Sequence, residues 1–200
     1  MKKLLIAAAT ATLLLGPVTA FAQDRMGGLG FRTLDGPGIV SGISFSTSPA
    51  IGIRHWFSPQ LGVDAAVGFT SLKVERGPPT TTTDEGTGFV LDLGVPFSAK
   101  KWDKVNFIFR PGFQYGKATA KDKLALTPPN EETATTIALS GELEVEFMFV
   151  ENVSISAAHG IAYRSFKVRD NDTPENEFNI TGFETTGDNF TQLGFHVYLW

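Results

Sequence analysis

The sequence has no cysteine, only three histidines, and no apolar run beyond residue 22 long enough to make a membrane-spanning helix. Without cysteine there is neither a disulfide framework nor a thiolate metal site, and His55, His159 and His196 are too scattered to suggest another metal centre. A helix crossing a bilayer needs about 20 consecutive apolar residues, so any passage through a membrane would have to be made by strands. Cations are in deficit as well: 17 Lys and Arg stand against 21 Asp and Glu, for a formal charge of −4. That balance argues against a general nucleic-acid role. What is abundant is glycine, 21 residues, and aromatics, 12% of 200 residues, a composition that leans toward a single all-β domain with many tight turns.

Lys2 and Lys3 precede an apolar run over residues 4–15, and Ala20-Phe21-Ala22 matches the small-x-small cleavage pattern of a secretory signal peptide. Cleavage is expected after Ala22, which divides the chain into a leader, 1–22, and a mature domain, 23–200. Loss of the two lysines leaves 15 basic against 21 acidic residues, a formal charge of −6.

The mature chain repeats one pattern, the period of two that a strand imposes on its side chains. From Val105 to Tyr115 the odd positions read Val, Phe, Phe, Pro, Phe, Tyr and the even ones Asn, Ile, Arg, Gly, Gln. Leu61, Val63, Ala65, Val67 and Phe69 form another apolar face, as do Phe89, Leu91, Leu93, Val95 and Phe97. Between Ile137 and Phe149 the apolar odd face is backed by Glu142, Glu144 and Glu146, too many glutamates for an ordinary core. Short connections at Ser58-Pro59-Gln60, near Lys100-Lys101-Trp102-Asp103 and at Val150-Glu151-Asn152 alternate with long polar ones over 77–85, 122–132 and 170–188. Short turns at one end and long loops at the other are the signature of an antiparallel up-and-down transmembrane β-barrel, with turns in the periplasm and loops outside the cell. About eight strands are expected. A soluble secreted sandwich is the alternative, with the two faces exchanged.

The first hairpin admits two readings. The favoured one pairs 38–46 with 50–57 through a turn at Thr47-Ser48-Pro49 and leaves 23–36 as a periplasmic leader. The other makes 26–34 the first strand and 43–57 the second.

The leader, the hairpin motif Arg54-His55-Trp56-Phe57-Ser58-Pro59-Gln60-Leu61-Gly62-Val63 and the terminal Tyr198-Leu199-Trp200 together resemble the small eight-stranded outer-membrane β-barrels of the OmpA/OmpX type, over essentially the whole mature chain. The resemblance implies a monomer in the bacterial outer membrane, inserted by the general barrel-assembly machinery through its last strand, in contact with outer-membrane lipids and lipopolysaccharide. It names a fold better than an activity. One departure is the end of the chain, where Leu193, Phe195, Val197 and Leu199 make the apolar face and would turn Trp200 inward.

On the polar face, symmetric pairing about the first short turn sets Arg54 opposite Asp64, and pairing Phe97 with Val105 sets Asp92 opposite Arg110. With Glu142, Glu144, Glu146 and, nearer the outer end, Arg164, these residues would crosslink a lumen that eight strands leave only wide enough for side chains. Phe57, Phe97, Trp102 and Phe149 are expected in a lower aromatic girdle and Phe113, Tyr115 and Tyr163 in an upper one. Lys73, Lys117, Lys121, Lys123, Lys167 and Arg169 sit at strand ends near the long loops, where outward cations would meet lipopolysaccharide phosphates.

These features point to a non-enzymatic outer-membrane barrel serving membrane integrity or surface interactions through its loops; a narrow channel for small or apolar solutes is the alternative. A lipid A-modifying enzyme is a minor one, because a nucleophile needs a base within reach and only His196, approached by Ser44 or Ser46 if the barrel closes, offers that. No cofactor, metal or catalytic residue is assigned. Asp170, Asp172, Glu175, Glu177, Glu184 and Asp188 in the last long loop lack the ordered spacing of a calcium loop.

Overall fold

In the computed structural model of the protein the described residues are 27–41, 43–76, 82–122, 130–170, 177–186 and 192–199. The expected leader peptide, Lys123, Asp172, Glu175, Asp188 and Trp200 lie outside them. Among the described residues ten strands run antiparallel: β1 (Gly27–Val40), β2 (Ile43–Trp56), β3 (Gly62–Arg76), β4 (Thr82–Gly94), β5 (Phe97–Trp102), β6 (Val105–Asp122), β7 (Asn130–Val150), β8 (Val153–Asp170), β9 (Glu177–Thr185) and β10 (Gln192–Tyr198). They form one sheet, and because β10 pairs with both β1 and β8 the sheet closes into a ring. A two-layer sandwich is thereby excluded.

The count departs from the expected eight because two strands are interrupted. Gly94 stands opposite Gly112 and Phe97 opposite Phe109, so β5 continues β4 along β6 without a change of register. The break falls at Pro96, which faces a partner strand carrying Pro111, and neither residue has an N–H to give the ladder. Val95 N still donates to Pro111 O at 3.0 Å, and Gly62 N to Pro96 O at 2.9 Å. In the same way β9 follows the loop half of β8 and β10 its turn half.

Burial follows parity around the ring. Outside the end of the first hairpin and β9, even residues point inward, and the odd, apolar ones point out: Phe69 is 70% exposed, Leu143 69% and Leu139 61%, while Arg110 is 0% exposed. Such an arrangement is the reverse of a water-soluble protein, in which large apolar side chains leave the surface and charges stay on it. The interior is stacked in layers. At the turn end Trp56, Ile108 and Tyr198 pack together with Met148 as a floor. Charged side chains fill the middle, Leu34, Ala50 and Val90 lie above them, and Val40, Ile43, Phe45, Ala118, Ala120 and Ala134 fill the loop end.

The topmost layer overturns the favoured reading of the first hairpin. Residues 27–36 are not a leader: they belong to β1, which pairs with β2 from Gly27 opposite His55 to Val40 opposite Ile43. Ser48 and Pro49 lie inside β2, where Pro49 takes an outward position opposite Thr33, and the chain reverses beyond Val40, next to Ser41 at φ 46°. A register shift between Asp35 and Gly38 bends this hairpin. Above Arg32 β1 leaves β10, above Ala50 β2 leaves β3, and the hairpin end crosses the lumen. There Gln114 Nε2 donates to Asp35 O at 2.7 Å, Thr136 Oγ1 to Pro37 O at 3.2 Å, and Arg164 Nη1 to Gly36 O at 3.2 Å. Gly38 adopts φ 100°, and a Cβ there would enter the Phe166 ring. Gly38→Val is therefore expected to lower stability by roughly 1–3 kcal/mol through backbone strain alone, measured as the urea midpoint of protein refolded in lipid vesicles; an unchanged midpoint would mean that the hairpin end adds nothing to the fold.

Candidate functional site: a charge-filled lumen

The middle layer is built by even residues of six strands. Arg54 stands opposite Asp64 across β2 and β3, with Nη2 2.9 Å from Asp64 Oδ2, and across the lumen it grips Glu144 of β7 through Nη1 at 3.0 Å and Nη2 at 2.8 Å. Arg110 faces Glu142 on β7 at 3.2 Å and reaches Asp64 through both Nε, 3.0 Å, and Nη2, 2.6 Å. It also binds Asp92. That last contact arises differently from the expected one. Asp92 lies opposite Gln114, because a register shift between Ser98 and Lys100 and a turn at Asp103-Lys104 displace the second hairpin from symmetric pairing of Phe97 with Val105. Arg110 reaches Asp92 because a long guanidinium spans more than one rung, over the space that Gly94 leaves: a Cβ on Gly94 would collide with that guanidinium.

Arg32 completes the layer and was missed by the sequence reading, which assigned residue 32 to a leader. It binds Glu142 and Gln192 and lies 3.7 Å from Asp92. The alternation Gly28, Gly30, Arg32, Leu34 against Leu29, Phe31, Thr33 carried the signal. A void of about 20 Å³ among Arg32, Arg54, Asp92, Arg110 and His196 has room for roughly one water molecule. The layer is a packed network of fork-shaped donors and carboxylates.

Two expected members stand apart. Glu146 accepts from Ser154 Oγ and Tyr198 OH, both at 2.6 Å, and binds no arginine among the described residues. It therefore belongs to a lower cluster with His196, whose Nδ1 is 3.6 Å away. Arg164 lies in the loop half, where Nη2 is 3.1 Å from Asp35 Oδ2 and Nε touches Glu184 of β9; it ties the inserted hairpin to the wall.

The lower cluster also holds a serine beside a histidine. The side chain of Ser46 lies outside the described residues, and Ser154, rather than Ser44, is the serine beside His196, at 3.4 Å. Its proton goes to Glu146 and its oxygen is fully buried behind the floor, so neither activation nor substrate access is provided. His159 is exposed on the outer face, and His55, also outward, stacks edge-on against Phe57 at 5.1 Å. No group of three or more His, Asp or Glu among the described residues could hold a metal ion.

On the outside, Phe57, Phe97, Trp102 and Phe149 are exposed near the turn end, with Phe107 edge-on to Trp102 at 5.1 Å and Phe147 edge-on to Phe149 at 5.3 Å. Phe113, Tyr115 and Tyr163 lie higher on the outer face, Tyr115 beside Phe89 and Tyr163 beside Phe183. The basic residues at the loop end are largely matched by acids. Lys121 is 3.0 Å from Glu131, whose carboxylate raises its pKa, Lys167 is 2.7 Å from Glu177, and Lys73 is 3.6 Å from Glu75. Lys117 and Arg169 have no such partner among the described residues and are exposed.

No family model matches the chain, and neither does any curated protein. Among solved structures the chain is similar to a major outer membrane protein from Thermus thermophilus, with 13% identity and a TM-score of 0.48 over 86% of this chain and 99% of that one. It is also similar to Ail, the attachment invasion locus protein of Yersinia pestis, with 14% identity and a TM-score of 0.42 over 86% of this chain and 93% of that one.

Arg110→Ala removes the cation shared by Asp64, Asp92 and Glu142 and leaves buried carboxylates facing one another. It is expected to cost about 3–5 kcal/mol, the range for breaking a buried pair, read from urea unfolding in vesicles. A loss below about 1 kcal/mol, the scale of an exposed pair, would show that the network is not what holds the lumen together.

Proposed function

We propose that the chain is a bacterial outer-membrane β-barrel with a closed lumen, supporting membrane integrity or surface interactions through its outer loops. The observation that carries this reading is the inverted burial: large apolar side chains exposed along the turn-end and middle stretches of the closed ring, around an interior of paired charges. In hydrocarbon every backbone polar group must be paired, which a closed sheet does without leaving an edge in the apolar band. The outer face is suited to lipid even where it is indented: Ile53, Val63, Leu93, Val95 and Phe113 line an apolar groove of about 520 Å³ beside the proline-interrupted rung. Aromatic side chains at two heights fit the two interfaces of a bilayer. Insertion by the general assembly machinery through β10, and life as a monomer, belong to the same reading.

Closure is supported by three successive barriers: the floor at Trp56 and Tyr198, the arginine layer, and the inserted hairpin. Refolded mature protein is thus expected to be silent in planar bilayers, and Arg110→Ala silent as well, since the floor and the hairpin remain. Discrete conductance steps from the wild type would instead favour the narrow-channel alternative. Before that measurement, the folded protein should migrate differently on a detergent gel when unheated and heated; identical migration would count against a membrane barrel.

Among the described residues of the expected rim, the cations left to meet lipopolysaccharide phosphates are Lys117 and Arg169, since Lys73, Lys121 and Lys167 already face glutamates. Charge reversal with Lys117→Glu and Arg169→Glu together is expected to reduce co-purifying lipopolysaccharide, whereas an unchanged amount would identify the rim as an ordinary solvated edge.

A further inference from the structure

The end of the β1–β2 hairpin occupies the loop half of the lumen without belonging to the wall there. Val40, Ile43 and Phe45 fill a chamber lined by Leu72, Ala118, Ala120, Ala134, Phe166 and Val168. The backbone of the inserted end is fastened by single bonds to side chains, from Gln114, Thr136 and Arg164 and to Glu132. No ladder joins it to the wall among the described residues.

Its sequence is in phase with a different position. Ile43, Phe45, Pro49, Ile51 and Ile53 alternate with Ser44, Ser46, Ser48, Gly52 and Arg54, the same odd-outward order as the rest of the wall. The register is already set: β2 pairs with β3 from Trp56 opposite Gly62 to Ala50 opposite Gly68, and Ser48 Oγ lies 3.1 Å from Thr70 Oγ1 one rung higher. Continued in step, β2 would set Phe45 opposite Lys73 along a stretch of β3 that pairs with β4 alone. In that position Ile43 and Phe45 would face outward.

We propose that the chamber is a binding site for a fatty acid and that the hairpin end is its internal occupant, displaced onto β3 when the ligand enters. The walls that the hairpin leaves are aliphatic and aromatic, and a vacated apolar chamber is costly unless a hydrocarbon chain fills it. One rung below Phe166 on the same face of β8 lies Arg164. Departure of the hairpin takes away Asp35 Oδ2 and Gly36 O and leaves Nη1 and Nη2 to receive a carboxylate by a two-pronged bond, while Nε keeps Glu184. The ligand shifts the hairpin only by what it gains in the chamber over what the hairpin loses.

This inference rests on the chain being a membrane-embedded barrel, which the gel-migration assay on the same sample tests separately. The absence of native cysteine makes the tests direct. A Cβ on Gly116 would lie 3.3 Å from Pro37 Cβ, near the roughly 3.5–4.5 Å of a disulfide, so Pro37→Cys with Gly116→Cys should pin the hairpin inside. In vesicles, a palmitic acid carrying a diazirine should label the β6, β7 and β8 residues of the chamber in the reduced double variant. Oxidation should lower that labelling at least tenfold and leave labelling of the outer face unchanged, and the methyl ester of the probe should label the chamber less than the acid. Equal chamber labelling in both redox states, or none in the reduced protein and the wild type, overturns the proposal. A second pair needs no ligand. Phe45 is buried in the lumen while Lys73 points outward, so Phe45→Cys and Lys73→Cys can be bridged only after the hairpin moves onto β3. A disulfide formed in the folded, vesicle-embedded protein with fatty acid supports the displacement, and its failure to form under the same conditions refutes it.

Discussion

A single guanidinium, that of Arg110, sets the terms for the interior. It has no exposure and joins carboxylates from β3, β4 and β7, so the strands that carry them can sit at only one height relative to one another. Arg54 repeats the device between β2, β3 and β7 and Arg32 between β1, β4 and β7. Around the arginines the wall must be small, and Gly94 and Gly112 leave the space in which the Arg110 head group lies. Paired charges of this kind are poor evidence of net stabilisation, but they specify register, because sliding any strand by one residue would turn its charge into the hydrocarbon.

Much of this could be read from the residues. Alternation alone assigned inside and outside correctly for Arg54, Asp64, Asp92, Arg110 and the three glutamates, since a two-residue period has only two answers. The first short turn, symmetric about Phe57 and Leu61, put Arg54 opposite Asp64, where the structure has it. The second turn misled. Its flanking residues are all compatible with a strand, so the reversal could be placed two rungs too early, and the bulge near Ser98 leaves no mark in the pattern.

The largest misreading, in the first hairpin, has an instructive cause. Ser-Thr-Ser-Pro carries the chemistry of a turn, yet Pro49 is accommodated inside β2 at an outward position, and Asp35-Gly36-Pro37-Gly38, which looks like a leader, is the bend that steers the hairpin into the lumen. Local propensity described both segments as breaks; tertiary packing chose which one turns the chain and which only deflects it. Strand number failed for a related reason between β4 and β5, as Pro96 and Pro111 remove donors from two adjacent rungs without changing the path of the chain.

The ladders that close the ring differ greatly in length. β6 and β7 share eighteen residue pairs and are neighbours in sequence, whereas β1 and β10 meet over five, from Gly28 with Tyr198 to Arg32 with Gly194, and join opposite ends of the chain. Bringing such distant segments together carries the largest loop-closure entropy in the molecule, and few hydrogen bonds reward it. The β1–β10 junction is thus a seam: the last ladder to zip during assembly, and the line along which a finished barrel would first part under load.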